Sequence, residues 1–128
     1  MAVKNERENV FMIGKLNHVA IAVPDLDSSM ETYRNILGAS VSDKILQRDH
    51  GVMVAFINLP NTKIELVTPL GLNGPLSKFL KKNPNGGIHH ICYEVENINE
   101  SIKNLIDAGA KLVGSKEPKI GAHGKLII

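Results

Sequence analysis

The sequence predicts an α+β fold in which two βαβββ modules curl a mixed sheet around a cleft, with the second module incomplete at the C-terminus. Three features support this prediction: an internal repeat, strand-like alternation at the start of each copy, and a capped helix after each strand. An offset of 72 residues carries His18 onto His90 and aligns two segments without a gap. They are KLNHVAIAVPDLDSSMETYRNILG and GIHHICYEVENINESIKNLIDAG.

Each copy begins with a predicted strand, because its side chains alternate between two faces with a period of two. In the first copy, Val19 and Ile21 share an apolar face, and His18 shares the other face with small residues. In the second copy, Ile91 and His90 lie on opposite faces in the same way. The two histidines are therefore predicted to lie on matching faces of equivalent strands.

A helix is predicted after each strand. Asp25 and Asn97 are suited to cap the free amides of its first turn, and Gly38 and Gly109 are suited to its left-handed C-terminal position. Apolar residues recur at helical spacing in both copies. They are Leu26, Met30, Tyr33 and Leu37 in the first copy, and Ile98, Ile102 and Leu105 in the second.

The remaining elements are predicted from apolar runs and turn residues. The predicted strands are Ser40 to Leu46, Val52 to Leu59 and Thr62 to Thr68 in the first copy, and Lys111 to Ser115 and a strand from about Lys125 in the second. Pro60 and Asn61 are predicted to form a tight turn between two of these strands. We expect a flexible leader over residues 1–14 and one domain over residues 15–128. Within it we place module one at about 15–70, a linker helix at about 73–83, and a partial module two at about 86–128.

The composition excludes several classes of partner. Lys and Arg number 15 against 13 Asp and Glu, and no basic run is longer than Lys81-Lys82, so the chain lacks the basic surface typical of nucleic-acid binding. No apolar stretch approaches the roughly 18 residues that a spanning helix requires, so we expect no membrane insertion. A single cysteine favours a reducing compartment. We expect a small-molecule ligand and a cytoplasmic location, or the mitochondrial matrix for a processed eukaryotic form.

The matched histidines are candidate metal ligands, because two imidazoles at equivalent positions can line one cleft. The offset selects His90 rather than its neighbour His89, for which we expect an interior or interface position. Glu65 lies on the face opposite Ile64 and could add a carboxylate, although a charge on a strand is as often solvated. Such a donor set suits Co²⁺, Mn²⁺, Ni²⁺ or Zn²⁺. The counterpart of Glu65 in the second copy, 72 residues later, would lie beyond Ile128.

Four blocks of the sequence resemble the methylmalonyl-CoA epimerases of the vicinal oxygen chelate superfamily, whose fold consists of paired βαβββ modules. The blocks are KLNHVAIAVPDLDSSMETYRNILGA, NTKIELVTPLG, GGIHHICYEVENI and KIGAHGK. The resemblance implies metal ligation by His18, Glu65 and His90, with a fourth ligand in a C-terminal strand. It also implies a divalent ion, for which we expect Co²⁺, with Mn²⁺, Ni²⁺, Zn²⁺ or Mg²⁺ as alternatives.

The activity implied by the resemblance is a 1,1-proton transfer that interconverts (R)- and (S)-methylmalonyl-CoA through a metal-stabilised enolate. The glutamate that serves as a base in some members corresponds here to Val54. His50 and His123, in predicted loops, are the alternative candidates for proton transfer. Other possible functions are a glyoxalase I-like isomerase or a non-catalytic binding protein. We also expect a homodimer, since an incomplete second module would expose a strand edge.

Overall fold

The computed structural model describes residues 13–114, 117–123 and 126–127. The chain forms two compact units. The first is Leu16–Cys92. The second consists of the described residues before Leu16 and of those from Tyr93 onward. Residues 1–12 of the predicted leader lie outside the described residues. The predicted module boundaries stay a prediction.

The first unit is built on a sheet of six strands. They are β1 (Leu16–Ala22), β2 (Ser40–Val41), β3 (Ile45–Gln47), β4 (Val52–Asn58), β5 (Lys63–Pro69) and β6 (Gly87–Tyr93). The order across the sheet is β2-β4-β5-β1-β6, with β3 also paired to β4. β1 runs parallel to β5, whereas β4 is antiparallel to β2, β3 and β5. The predicted mixed sheet is therefore confirmed.

The hydrophobic core of this unit lies on one face of the sheet, beneath the first helix, α1 (Leu26–Glu31). Its buried members are Val23, Leu26, Met30, Ala55, Ile57 and Leu66, with Ile21 and Ile64 packed against them. This is the face that the alternation in β1 predicts for Ile21 and Val23. His18 and Glu65 belong to the opposite face, as their positions in the strands require.

α1 begins as predicted, because the Asp25 side chain accepts a hydrogen bond from the Ser28 amide at 3.0 Å. The helix continues into a wider π-helical turn over Thr32–Ile36, in which the Leu37 amide donates to the Thr32 carbonyl. The wider turn changes the direction of the side chains that follow. Leu37, predicted to lie on the apolar face, is instead 63% exposed.

The strand predicted over Ser40 to Leu46 is wrong as a single element, since it forms the separate strands β2 and β3. Ser42 interrupts the ladder between them. Its backbone amide donates to the Phe56 carbonyl, and its hydroxyl accepts from the Phe56 amide, each at 2.8 Å. The side chain thus takes a place that a backbone carbonyl would occupy in a regular ladder.

The predicted turn and the helix predicted near Pro75 to Lys82 are confirmed, and the role of that helix as a linker between modules stays a prediction. The Leu59 amide donates to the Thr62 carbonyl at 2.9 Å, which closes the turn between β4 and β5. A second helix, α2 (Pro75–Lys82), begins with proline in its first turn.

The second unit contains the helix α3 (Ile98–Asp107) and a hairpin of β7 (Lys119–Ile120) and β8 (Leu126–Ile127). The Asn97 side chain caps α3 as predicted, accepting from the Glu100 amide at 3.0 Å. The strand predicted over Lys111 to Ser115 is wrong for residues 111–114, which form no strand; Ser115 lies outside the described residues. Among the described residues, no helix combines the length and apolar character needed to cross a membrane.

The buried face of the sheet yields a stability prediction. Leu66 is 0% exposed and Leu72 is 81% exposed, so the same truncation can be compared in both settings. Leu66→Ala should lower the free energy of unfolding by about 2–5 kcal/mol, because it removes buried contacts and leaves a cavity. Leu72→Ala should change it by less than about 0.5 kcal/mol. Urea denaturation measures both, and equal values for the two variants would contradict this description of the core.

Candidate metal centre

Three neighbouring strands carry the candidate ligands. Glu65 lies on β5, His18 on β1 and His90 on β6, and these strands are adjacent in the order β5-β1-β6. The parallel register pairs Ala20 with Glu65. Because Ala20 lies two residues after His18, Glu65 and His18 share a face of the sheet.

The three side chains converge on one point. Nε2 of His18 lies 3.5 Å from Oε1 of Glu65, and Nε2 of His90 lies 3.8 Å from the same oxygen. One ligand atom from each residue lies within 4.8 Å of the other two. The sheet therefore brings together all three predicted metal ligands.

The cluster is closed on one side and open on the other. The side chains of His18 and Glu65 are each 13% exposed, whereas that of His90 is 44% exposed. Ala20 is fully buried beneath them, and the Phe56 ring packs edge-on against His18 at 6.3 Å between centroids. A ligand would therefore approach from the side of His90.

Burial shifts the ionisation of two members of the cluster. It raises the pKa of the Glu65 carboxyl, an effect that His50 and Lys63 oppose electrostatically. It also lowers the pKa of His90, and neighbouring His89 lowers this pKa further. The lowered pKa keeps the His90 imidazole neutral at neutral pH, which is the form that binds metal ions.

These residues fit a divalent metal ion. Ligand atoms at about 2.0–2.1 Å from one ion are roughly 3.3–3.4 Å apart at tetrahedral positions. The separations from Oε1 of Glu65 to Nε2 of His18 and of His90, 3.5 and 3.8 Å, exceed this spacing by only a few tenths of an ångström. Two imidazoles and one carboxylate also match the mixed nitrogen and oxygen donors that such ions accept.

The donor cluster does not include the other residues named in the sequence analysis. His50 is half-buried at the end of a short 3₁₀ turn before β4, and His123 is exposed in the turn before β8. Val54, 1% exposed, lies inside β4. The sequence predicts an interior or interface position for His89. The interior alternative is wrong, because His89 is exposed and its ring packs edge-on against Phe79 at 5.1 Å, and the interface alternative stays a prediction.

Asn17 is a contact of the site that the sequence prediction missed. Its side-chain oxygen lies 2.7 Å from Nδ1 of His18. The 72-residue offset aligns Asn17 with His89, so the repeat contained a signal that could have identified it.

Comparison with known proteins places this chain in a class. Residues 17–128 match the Glyoxalase/Bleomycin resistance protein/Dioxygenase superfamily, and the chain belongs to that superfamily. It is 62% identical over 117 residues to the ethylmalonyl-CoA/methylmalonyl-CoA epimerase of Cereibacter sphaeroides, covering 91% of this chain and 87% of that protein. Within the superfamily, the chain is a member of the methylmalonyl-CoA epimerase family.

Solved structures agree with this assignment. The methylmalonyl-CoA epimerase of Mycobacterium tuberculosis superposes with a TM-score of 0.82 at 28% identity, covering 90% of this chain and 77% of that one. A methylmalonyl-CoA epimerase in complex with methylmalonyl-CoA and NH4+ also gives a TM-score of 0.82, at 25% identity, covering 89% and 82% of the two chains. The predicted fold and the resemblance that implied it are confirmed.

The donor cluster predicts stabilisation by a divalent ion. Co²⁺ should raise the thermal midpoint, because an ion that binds only the folded state stabilises it by mass action. Glu65→Ala removes the shared carboxylate and should weaken Co²⁺ binding by at least about tenfold, with a correspondingly smaller rise in the midpoint. Titration calorimetry and thermal unfolding measure the two effects.

Glu31→Ala, at an exposed position of α1, is the matched control and should bind Co²⁺ like the unchanged protein. Equal Co²⁺ affinity in the two variants would contradict the assignment of Glu65.

Proposed function

We propose that this chain interconverts (R)- and (S)-methylmalonyl-CoA by 1,1-proton transfer. The observation that carries the proposal is the 62% identity over 117 residues with the Cereibacter sphaeroides epimerase. The complex of a related epimerase with methylmalonyl-CoA supports an acyl-CoA substrate. The cluster of His18, Glu65 and His90 supplies a chemical reason for the activity.

We infer that these three residues hold a divalent ion, with Co²⁺ as the first candidate. Two neutral imidazoles and one carboxylate would leave a bound dication with a net positive charge, which favours an anionic substrate oxygen. Such an ion would supply Lewis-acid stabilisation of the negative charge that develops on oxygen. The greater exposure of His90 supports entry of the substrate from that side.

Proton transfer requires a group of the chain within reach of the α-carbon. The proton must leave one face of that carbon and return on the other, and the electron pair left behind is delocalised onto the thioester oxygen. His50 is our candidate for one such group, because it influences Glu65 electrostatically and is half-buried. His123 stays a second candidate from the sequence alone.

The experiments below also test two alternative functions. A glyoxalase I-like isomerase would use the same superfamily fold, and a binding protein would hold the acyl-CoA without reaction. The high identity to an epimerase favours the first proposal over both. The homodimer and the cytoplasmic location stay predictions.

Proton exchange in D₂O tests the activity. With methylmalonyl-CoA and Co²⁺, we expect the α-hydrogen signal to disappear much faster than in the protein-free sample, because the proton that returns comes from solvent. The measurement is ¹H NMR, and Glu65→Ala should exchange at least about tenfold more slowly, since ligand loss removes charge stabilisation. Binding of methylmalonyl-CoA without accelerated exchange would establish a binding protein instead of an enzyme.

Replacement of His50 tests its role in proton transfer. His50→Asn should lower turnover by about 10²–10⁴-fold, because a positioned acid or base contributes on that scale. Co²⁺ affinity, measured by calorimetry, should be unchanged. His123→Asn, made in parallel, tests the second candidate. Full turnover in both variants would remove both histidines from the mechanism.

A further inference from the structure

Both candidate ligand histidines make a hydrogen bond to the residue immediately before them. Nδ1 of His18 lies 2.7 Å from Oδ1 of Asn17, and Nδ1 of His90 lies 2.8 Å from Nδ1 of His89. The 72-residue offset relates Asn17 to His89 as it relates His18 to His90. The same contact is therefore made at equivalent positions of both copies.

This contact is unexpected in a strand. Side chains of adjacent strand residues point to opposite faces, so neighbouring side chains do not normally meet. Here two such pairs meet, and the chemical nature of the partner differs between them. In the first copy the partner of the histidine Nδ1 is an amide oxygen, and in the second copy it is an imidazole nitrogen.

The contact bears on which nitrogen can bind a metal ion. A neutral imidazole carries one proton, and the hydrogen bond made by one nitrogen determines whether the other is free to coordinate. Nε2 of both histidines points to Glu65. Coordination of an ion beside this carboxylate requires a free lone pair on Nε2, so the proton of each neutral ring must then lie on Nδ1. The partner of Nδ1 must then be an acceptor.

We propose that Asn17 and His89 are positioning residues that hold His18 and His90 in the Nδ1–H tautomer and direct both Nε2 atoms to the metal. Nδ1–H of His18 donates to Oδ1 of Asn17. Nδ1–H of His90 donates to Nδ1 of His89, whose own proton lies on Nε2. This inference rests on the proposed metal site and extends it to the residues behind the ligands.

Neighbouring groups hold each partner in place. The Thr62 hydroxyl donates to the backbone carbonyls of Leu16 and Asn17, at 3.1 and 3.2 Å, and fixes the start of β1. The Phe79 ring of α2 meets the His89 ring at 5.1 Å between centroids and an interplanar angle of 88°. The backbone that carries Asn17 and the ring of His89 are therefore each held by a contact from another segment of the same unit.

Four substitutions distinguish loss of the hydrogen-bond acceptor from a change in the size of the side chain. Asn17→Leu and His89→Leu remove the acceptor. His89→Asn introduces the residue that serves in the first copy and should retain the function. Asn35→Leu, at an exposed position of the π-helical turn, is the control for loss of an asparagine amide.

The tautomers are measured first in metal-free protein by long-range ¹H–¹⁵N NMR of the imidazole rings. We expect the Nδ1–H tautomer for His18 and His90 in the unchanged protein, in His89→Asn and in Asn35→Leu. In Asn17→Leu, we expect His18 to populate both tautomers, with His90 unaffected. In His89→Leu, we expect His90 to populate both tautomers, with His18 unaffected.

Co²⁺ affinity is measured next by calorimetry. Each leucine variant at position 17 or 89 should bind about 10–100-fold more weakly, and His89→Asn should stay within about threefold of the unchanged protein. Far-UV circular dichroism checks folding. If Asn17→Leu does not fold, Asn17→Ala takes its place, and Asn17→Asp, which keeps an acceptor oxygen, should preserve binding.

Unchanged tautomers and unchanged affinity in the leucine variants would overturn the inference. Loss of affinity in His89→Asn equal to that in His89→Leu would also overturn the acceptor role. Failure of the unchanged protein to bind Co²⁺ would instead refute the proposed metal site. The tautomer measurement in metal-free protein still tests the positioning role in that case, so the two failures are distinguishable.

Discussion

The candidate site depends on the parallel pairing of β1 with β5. This pairing sets Ala20 beside Glu65 and thereby places His18 and Glu65 on one face of the sheet. A shift of the register by one residue would move every side chain of one strand to the opposite face. Glu65 would then enter the hydrophobic core beneath α1, so core packing and ligand geometry enforce the same register.

The position of His90 depends on a close approach of backbone at the start of β6. Gly86 has a φ of 85°, and a Cβ at this position would overlap the carbonyl oxygen of Ala22. Only glycine combines the left-handed conformation with this approach. The chain can therefore enter β6 directly alongside β1, which gives the order β5-β1-β6 that the three ligands require.

The sequence predicted the features that follow from local periodicity and duplication. Alternation assigned His18 and Ile21 to opposite faces, and the repeat selected His90. The sequence patterns did not predict features set by individual hydrogen bonds. The π-helical turn exposes Leu37, and Ser42 divides a strand through its two bonds to Phe56, a residue 14 positions away. Neither pattern is visible in hydrophobic spacing, because the first depends on the local bond from the Leu37 amide to the Thr32 carbonyl and the second on the contact between Ser42 and Phe56.

The energetics of the cluster explain why these side chains converge. Burial raises the pKa of Glu65, so the ionised carboxylate destabilises the metal-free fold as pH rises above the ordinary pKa of a glutamate. Burial lowers the pKa of His90, so a positive charge on this imidazole is disfavoured as well. Protonation of His90 is therefore a poor way to neutralise the carboxylate. A divalent cation held by these residues would offset the negative charge of Glu65 and would accept the neutral His90 imidazole as a donor, so that it would reduce both costs of burial.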